Sequence, residues 1–279
     1  MTSALLLENY LQSLRLPTFL KDYDQVGRQC GERDSPYEEF LQVLAEREVT
    51  TREQNAILRR IREANFPARK EVSDYDFSVV PKFGKKRVLE LSKCEFIERK
   101  ENICLLGKPG MGKTHLALAL AHEACRRGYK VKFFTASGLA TAYAEARDER
   151  QVLRLERFVT TRDLIVIDEL GYVPLGQNGA ENLFGFFSRC YERTSLIVTT
   201  NLPFTEWPQV FGEERLTGAL LDRFTHRIHI LEIIGDSYRL KQSLKAKEGR
   251  RETGNKDLKA NPQVKEASDN GSKKNTAKN

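Results

Sequence analysis

The sequence predicts an α/β fold: a five-stranded parallel sheet flanked by helices, preceded by a small all-helical region. Three observations carry the prediction. Five short apolar segments, Ile103 to Leu106, Val131 to Thr135, Leu164 to Ile167, Leu196 to Thr200 and Ile228 to Ile233, are separated by stretches of helical character. Strands that alternate with helices in this way form parallel sheets buried on both faces. The string Gly107-Lys108-Pro109-Gly110-Met111-Gly112-Lys113-Thr114 stands between the first segment and the helix-like run His115 to Ala121, which is the strand, loop and helix order of a phosphate-binding loop. Residues 1 to about 70 show helical periodicity alone.

Taken in order, Leu5, Leu6, Tyr10, Leu11 and Leu14 mark a first helix. Met1 to Tyr10 has no basic leader and no small-residue cleavage site, so it reads as this helix and not as a signal peptide. A second helix begins near Pro17, with Leu16, Phe19, Leu20 and Tyr23 as its apolar set. A third is expected from Ser35, an N-cap followed by Pro36 and by Glu38 in the capping-box position, to about Glu46. A fourth runs from Thr50 or Thr51 to Ala64, with Ile57, Leu58 and Ile61 inward and Arg52, Arg59, Arg60 and Arg62 outward. Two helices joined by Val49-Thr50-Thr51, the second rich in arginine, suit a helix-turn-helix-like DNA contact; a solvated helix face accounts for the same arginines.

Asn65-Phe66-Pro67 closes the helix, residues 71 to 84 look like an extended linker, and Lys85 to about Lys100 reads as a helix before the first strand. Further helices are expected over Thr114 to Arg127, Ser137 to Ala146 and Ala180 to Arg193. Beyond about Lys247 the apolar periodicity ends and Gly, Asn, Ser and Lys dominate, the composition of a disordered tail. The expected organisation is a helical N-terminal DNA-binding domain over residues 1–70, an ATPase domain over 71–247 and a basic tail over 248–279.

A chain of 279 residues with 40% hydrophobic content fits one good-sized core and a small second domain. No apolar run approaches the ~18 residues of a membrane span, so no membrane partner is expected. The five cysteines lie singly, which speaks against a disulfide framework or a zinc site and for a reducing, cytoplasmic compartment. His226 and His229 have no third ligand nearby in sequence, which speaks against a metal site there. The net charge is +7; Lys241 to Asn279 holds 11 Lys/Arg against 5 Asp/Glu, whereas residues 1–70 hold 11 of each sign. Such a basic end attracts nucleic acid or is simply a solvated tail, and charge alone does not separate the two.

The chemistry follows from residue types in this order. Glycines let successive backbone N–H groups turn inward, and the helix behind them adds its positive end, so the stretch Gly107 to His115 can hold a polyphosphate. Lys113 would reach the β- and γ-phosphates, and Thr114 would offer its hydroxyl to Mg²⁺. The run Leu164-Ile165-Val166-Ile167-Asp168-Glu169 delivers two acids to the carboxyl end of a buried strand, where open α/β sheets bind ligands. Asp168 would hold Mg²⁺ and Glu169 would orient and activate the attacking water. Asn201, closing the fourth strand, could contact the γ-phosphate or that water, though Asn is also a good turn residue. Arg223 and Arg239 flank the last strand and could both approach phosphates.

At this point GKPGMGKTHLA, LIVIDELGYVPL, IVTTNLPFTEW, ALLDRFTHR and GDSYRL resemble the insertion-sequence transposition helper ATPases of the IstB family, relatives of the DnaC-type helicase loaders within the AAA+ class. The resemblance spans residues 1 to about 247. It implies a P-loop AAA+ ATPase that uses ATP and Mg²⁺, assembles on double-stranded DNA as a homo-oligomer, ring or open helix, and activates or targets a partner transposase. It also implies Walker A roles for Lys113 and Thr114, Walker B roles for Asp168 and Glu169, a first-sensor role for Asn201, an arginine finger at Arg223 and a second sensor at Arg239. Lys108 stands where the family more often has a small residue or proline, and its side chain can leave toward solvent. A DnaC-like loader of a replicative helicase shares the same motor. A nucleotide-switched binding protein is disfavoured by Glu169, and a small-molecule kinase by the acid strand paired with an Asn sensor.

Overall fold

All five apolar segments are strands of one parallel sheet in the computed structural model, which describes residues 3–77, 82–172, 176–212 and 214–234. They are β1 (Asn102–Gly107), β2 (Val131–Thr135), β3 (Leu164–Leu170), β4 (Ser195–Thr200) and β5 (Ile228–Ile233), in the spatial order β2-β3-β4-β1-β5. β4 is buried throughout and β3 at every residue but Glu169, the reason their sequences run apolar without alternation. Alternation is present but serves two cores. Ile103, Leu105, Val166 and Ile197 face one of them, while Cys104, Ile165, Ile167 and Val198 face the other.

The helices are α1 (Ser3–Ser13), α2 (Pro17–Glu32), α3 (Tyr37–Ala64), α4 (Lys82–Leu91), α5 (Glu95–Glu98), α6 (Lys113–Arg126), α7 (Ala136–Asp148), α8 (Val152–Thr160), α9 (Gly176–Cys190), α10 (Pro208–Phe211) and α11 (Glu214–Thr225). Leu116 and Leu120 of α6 fill the first core, and Leu183 and Phe186 of α9 fill the second with Trp207 and Phe224. α8 lacks a counterpart in the sequence reading, because its nine residues are amphipathic over too short a span to stand out. The expected helix from Lys85 to Lys100 is instead α4 and α5, separated where buried Cys94 takes a left-handed conformation, φ 62°.

The larger correction concerns α3, one continuous helix of 28 residues across Val49-Thr50-Thr51. No Pro or Gly lies in that link, and β-branched residues lower helix propensity by only tenths of a kcal/mol, ~0.5 each. Tertiary partners outweigh this. Glu48, buried in the same turn, accepts from the Thr18 backbone N–H at 2.9 Å and from Arg52 Nε at 2.6 Å. The helix starts later than expected, with Pro36 at the N-cap and no side-chain cap. Its end is as the sequence suggested, at Asn65 in the left-handed region, φ 57°. Without a turn there are no two helices to set at the helix-turn-helix angle, and that geometry is withdrawn. Two of the four arginines are occupied: Arg52 bonds Glu48 and the Arg15 carbonyl, and Arg60 Nε donates to the Cys125 carbonyl at 2.8 Å.

α3 therefore joins the helical region to the sheet. Its first half packs on α2, while its last residue, Ala64, is fully buried in the first core, and Lys132 Nζ of β2 donates to the Glu63 carbonyl at 3.2 Å. Glu48 is the residue on which this joint is most exposed to pH. Burial pushes its carboxyl up, but the Arg52 and Thr18 hydrogen bonds outweigh that and hold it below the ordinary glutamate range. A depressed folded pKa contributes stability above the unfolded value, and this is lost as pH falls through the folded one. Glu48→Gln should lower the melting temperature at pH 7 and close the gap to wild type on acidification from pH 5 to 3; a gap that stays constant would exclude the ionised carboxylate as its source.

Candidate nucleotide-binding site

The carboxyl ends of β1, β3 and β4 lie side by side, and the sheet register sets what they carry. Leu106 pairs with Thr200, so Asn201 follows β4 level with Gly107, where the loop begins. Gly107 has no alternative there: a Cβ would stand 2.5 Å from the Ile233 carbonyl oxygen. Gly110 and Gly112 have φ of 80° and 86°, the left-handed region that lets the loop curl before α6. Lys113, the first residue of α6, is buried and its Nζ donates to the carbonyls of Gly107 at 2.6 Å and Lys108 at 2.9 Å. The loop is thus closed by the ammonium that a triphosphate would recruit.

Thr114 Oγ1 donates to Asp168, 2.9 Å from Oδ1 and 3.0 Å from Oδ2. From the other side Thr199 Oγ1 donates to Asp168 Oδ1 at 2.5 Å and accepts the Glu169 backbone N–H at 2.9 Å. A buried carboxylate beside a hydroxyl is the all-oxygen pairing that Mg²⁺ takes together with waters and phosphate, so the residues fit that ion. Among the described residues no cluster of three or more His, Cys, Asp or Glu could hold a metal.

Glu169 differs from its neighbour. The β3–β4 register shifts between Ile167 and Leu170, and at this bulge Glu169 adopts φ 63° with its side chain exposed in a strand otherwise buried. A bulge re-aims a side chain, and a non-glycine residue held in the left-handed region costs ~1–3 kcal/mol that the surrounding structure must offset. Here the Thr199 hydroxyl holds the displaced N–H. The result is a fixed Asp168 and, one residue on, a carboxylate turned into a cleft of about 550 Å³.

That cleft has a wall the sequence reading missed. The helix end contributes Pro67, Ala68 and Lys70, and the presumed linker after it contributes Asp74, Tyr75 and Asp76, opposite Pro109 to His115. Tyr172 also lines it, with Lys113 Nζ 6.0 Å from its ring centre. Thr199 had a legible signal, a polar residue inside an apolar run; the linker had none, since only tertiary folding lays it over the loop.

Asn201 has its Oδ1 buried and without a hydrogen-bond partner. Arg223 is elsewhere: it precedes Phe224, whose carbonyl accepts from Asn102 Nδ2 at 3.0 Å, and Asn102 opens β1. At ~3.3 Å per residue, the five steps from Asn102 to Gly107 separate Arg223 from its own phosphate loop by a sheet length of about 17 Å. Its contacts are Ser188 Oγ, the Ala219 carbonyl and the Phe184 ring, and it forms no ion pair with Asp222 or Glu232. Arg239 and the tail from 248 to 279 lie outside the described residues. His229 lies between Glu101 at 2.7 Å and Arg87 at 2.5 Å on β5, remote from the site.

Comparison with known proteins matches residues 9–246 to the family of IstB-like ATP binding proteins. A protein described as ATP-binding in insertion sequence IS5376 of Geobacillus stearothermophilus is 36% identical over 85% of this chain and 94% of its own length. Its counterpart in IS21 of Pseudomonas aeruginosa is 35% identical over 86% of this chain and 91% of its own. Among solved structures, AMPPCP-bound DnaA from Aquifex aeolicus superposes with a TM-score of 0.53 at 21% identity, over 65% of this chain and 56% of that one. DnaI does so with 0.51 at 16% identity, over 59% and 91%. At these identities the two structures speak to the fold alone, the parallel AAA+ sheet.

Proposed function

Because the chain belongs to the family of IstB-like ATP-binding proteins and is a P-loop ATPase of the AAA+ class, we propose that it serves transposition: it binds ATP, assembles on double-stranded DNA as a head-to-tail oligomer, hydrolyses the nucleotide and activates or targets a partner transposase. The single observation that supports the reading most is the Thr114, Asp168 and Thr199 cluster beside Lys113. It joins the loop, the acid strand and the sensor strand in one site.

In this reading the loop from Gly107 to His115 holds the phosphates, with Lys113 exchanging its two carbonyls for β- and γ-oxygens. Mg²⁺, held by Thr114 and Asp168, would neutralise charge on those phosphates. Glu169 takes the proton of the attacking water, and Asn201 orients that water or the γ-phosphate. Arg223 completes a neighbouring subunit's site, and Arg239 acts as the second sensor. The insertion-sequence relatives support the transposition role, and the basic balance of the chain supports a phosphate-backbone partner.

The test uses the full chain, since a cut at residue 70 would strip Ala64 and the Arg60 contact from the ATPase core. Fluorescence anisotropy of labelled duplex DNA should show binding with a non-hydrolysable ATP analogue, little without it, and log affinity falling linearly with log salt. Replacing Arg59 and Arg62, exposed α3 arginines other than the Glu48-bonded Arg52, by alanine should reduce that slope by about 1 per residue if both meet phosphates. An unchanged slope would return them to a solvated face. DNA binding indifferent to nucleotide would sink the ATP-dependent assembly itself.

A further inference from the structure

The β3–β4 register leaves one residue of β4 opposite two of β3. Ile167 pairs with Val198 and Leu170 with Thr200, so Asp168 and Glu169 share Thr199 as their single counterpart. This two-against-one count is that of a bulge, in which the extra residue loses its place in the ladder. Here the extra residue keeps a partner, because the Thr199 side chain supplies one. Its hydroxyl donates to Asp168 Oδ1 at 2.5 Å, the short range of a hydroxyl bond to a carboxylate, and accepts the Glu169 N–H at 2.9 Å. A proton and a lone pair of one oxygen are thereby committed to two different acids. Valine, the ordinary β-branched residue of so buried a strand, offers neither. Beyond the bulge the next residue repeats the device: Thr200 Oγ1 donates to the Leu170 carbonyl at 2.9 Å. On the β2 side Thr135, level with Asp168, is committed elsewhere, since its oxygen accepts the Gly138 N–H at 3.0 Å and caps α7.

We propose that Thr199 is a positioning residue for ATP hydrolysis: it fixes Glu169 on its outward turn relative to Asp168, and so aims the carboxylate that takes the proton of the attacking water. The inference rests on the Glu169 assignment above and adds the side chain through which that assignment is held in place. Glu169 sits at φ 63°, a conformation that a non-glycine residue keeps only where its surroundings over-determine it. With the hydroxyl gone, the Glu169 N–H and the Asp168 oxygen each lose a partner, and the peptide is free to relax toward extended backbone. Side chains alternate between the two faces of an extended strand, so that relaxation re-aims Glu169 away from the cleft. A reacting group displaced by about 1 Å costs on the order of 10² in rate. The contacts of Lys113 with the loop carbonyls do not involve Thr199, so the loss falls on turnover and not on nucleotide affinity.

The experiment is a double-mutant cycle in single-turnover hydrolysis on the full chain, with affinity for a non-hydrolysable ATP analogue and the melting temperature measured alongside. Thr199→Val keeps the branched shape and should hydrolyse ATP about 10²-fold more slowly while binding the analogue as wild type does. Thr199→Ser restores the hydroxyl and should recover most of the rate. Combined with Glu169→Gln, Thr199→Val should cost little further, because residues that act through one another are not additive, whereas independent effects multiply. Thr199→Val turning over at the wild-type rate overturns the proposal. So does a double variant slower than Glu169→Gln by the full Thr199→Val factor, which would make the hydroxyl a support of the fold at large. If Thr199→Val melts below the assay temperature, Thr199→Ala carries the same cycle with the same two outcomes. Wild-type turnover by Glu169→Gln would instead overturn the Glu169 assignment beneath it.

Discussion

Glu169→Gln is expected to bind ATP as wild type does and to hydrolyse it about 10² to 10⁴ times more slowly, the range by which a positioned general base contributes. Glutamine keeps the length and shape of the side chain but cannot take a proton. The substitution is also structurally mild, because the bulge is held by the Glu169 backbone N–H on Thr199 and not by the carboxylate. Lys113→Ala should fail one step earlier. It removes a buried ammonium that bridges the Gly107 and Lys108 carbonyls, and with it a charge-assisted contact to the phosphates. Nucleotide affinity should fall before hydrolysis is reached, so equilibrium binding and single-turnover hydrolysis separate the two variants. Wild-type turnover by Glu169→Gln would remove Glu169 from the chemistry.

Arg223→Ala is expected to lose about 10³- to 10⁵-fold in hydrolysis, the worth of an arginine supplied to a phosphoryl-transfer site, while nucleotide binding by the free subunit stays near wild type. The reason is positional. Arg223 stands at the amino end of the sheet and the phosphate loop at the carboxyl end, so it cannot serve its own nucleotide. Only a head-to-tail neighbour would bring the two ends together, and such contacts build rings or open helices. Its weak local contacts, 3.4 and 3.5 Å to Ser188 and Ala219, leave little to break on docking. Mixing Lys113→Ala with Arg223→Ala, each inactive alone, should restore part of the activity in the presence of ATP and DNA. Mixed interfaces pair an intact Lys113 with an intact Arg223. Co-assembly without recovery at any ratio would refute a role in trans.

The sheet was legible because burial on both faces leaves its strands continuously apolar, and all five fell within a few residues of their expected bounds. The loop and acid strand were legible for a related reason: Gly107, Lys113, Thr114 and Asp168 are residue types that the backbone and the phosphate chemistry demand at fixed offsets. The same local logic failed at α3. Val49-Thr50-Thr51 is a weak helix signal, and a break was expected there. The helix runs through because Glu48 caps α2 across the turn and because Ala64, fifteen residues on from Val49, is drawn into the ATPase core.

By itself, then, the sequence determined the fold class, the order of the elements, the phosphate loop and the two acids, all properties encoded within a dozen neighbouring residues. Tertiary structure alone decided that the stretch from Pro67 to Tyr75 is a wall of the cleft over the phosphate loop, that Thr199 locks Asp168, that Glu169 turns outward on a bulge, and that Arg223 stands a sheet length from its own loop. Those facts depend on register and on contacts between residues 30 to 122 positions apart. No local propensity carries information over that distance; the packing of one chain upon itself does.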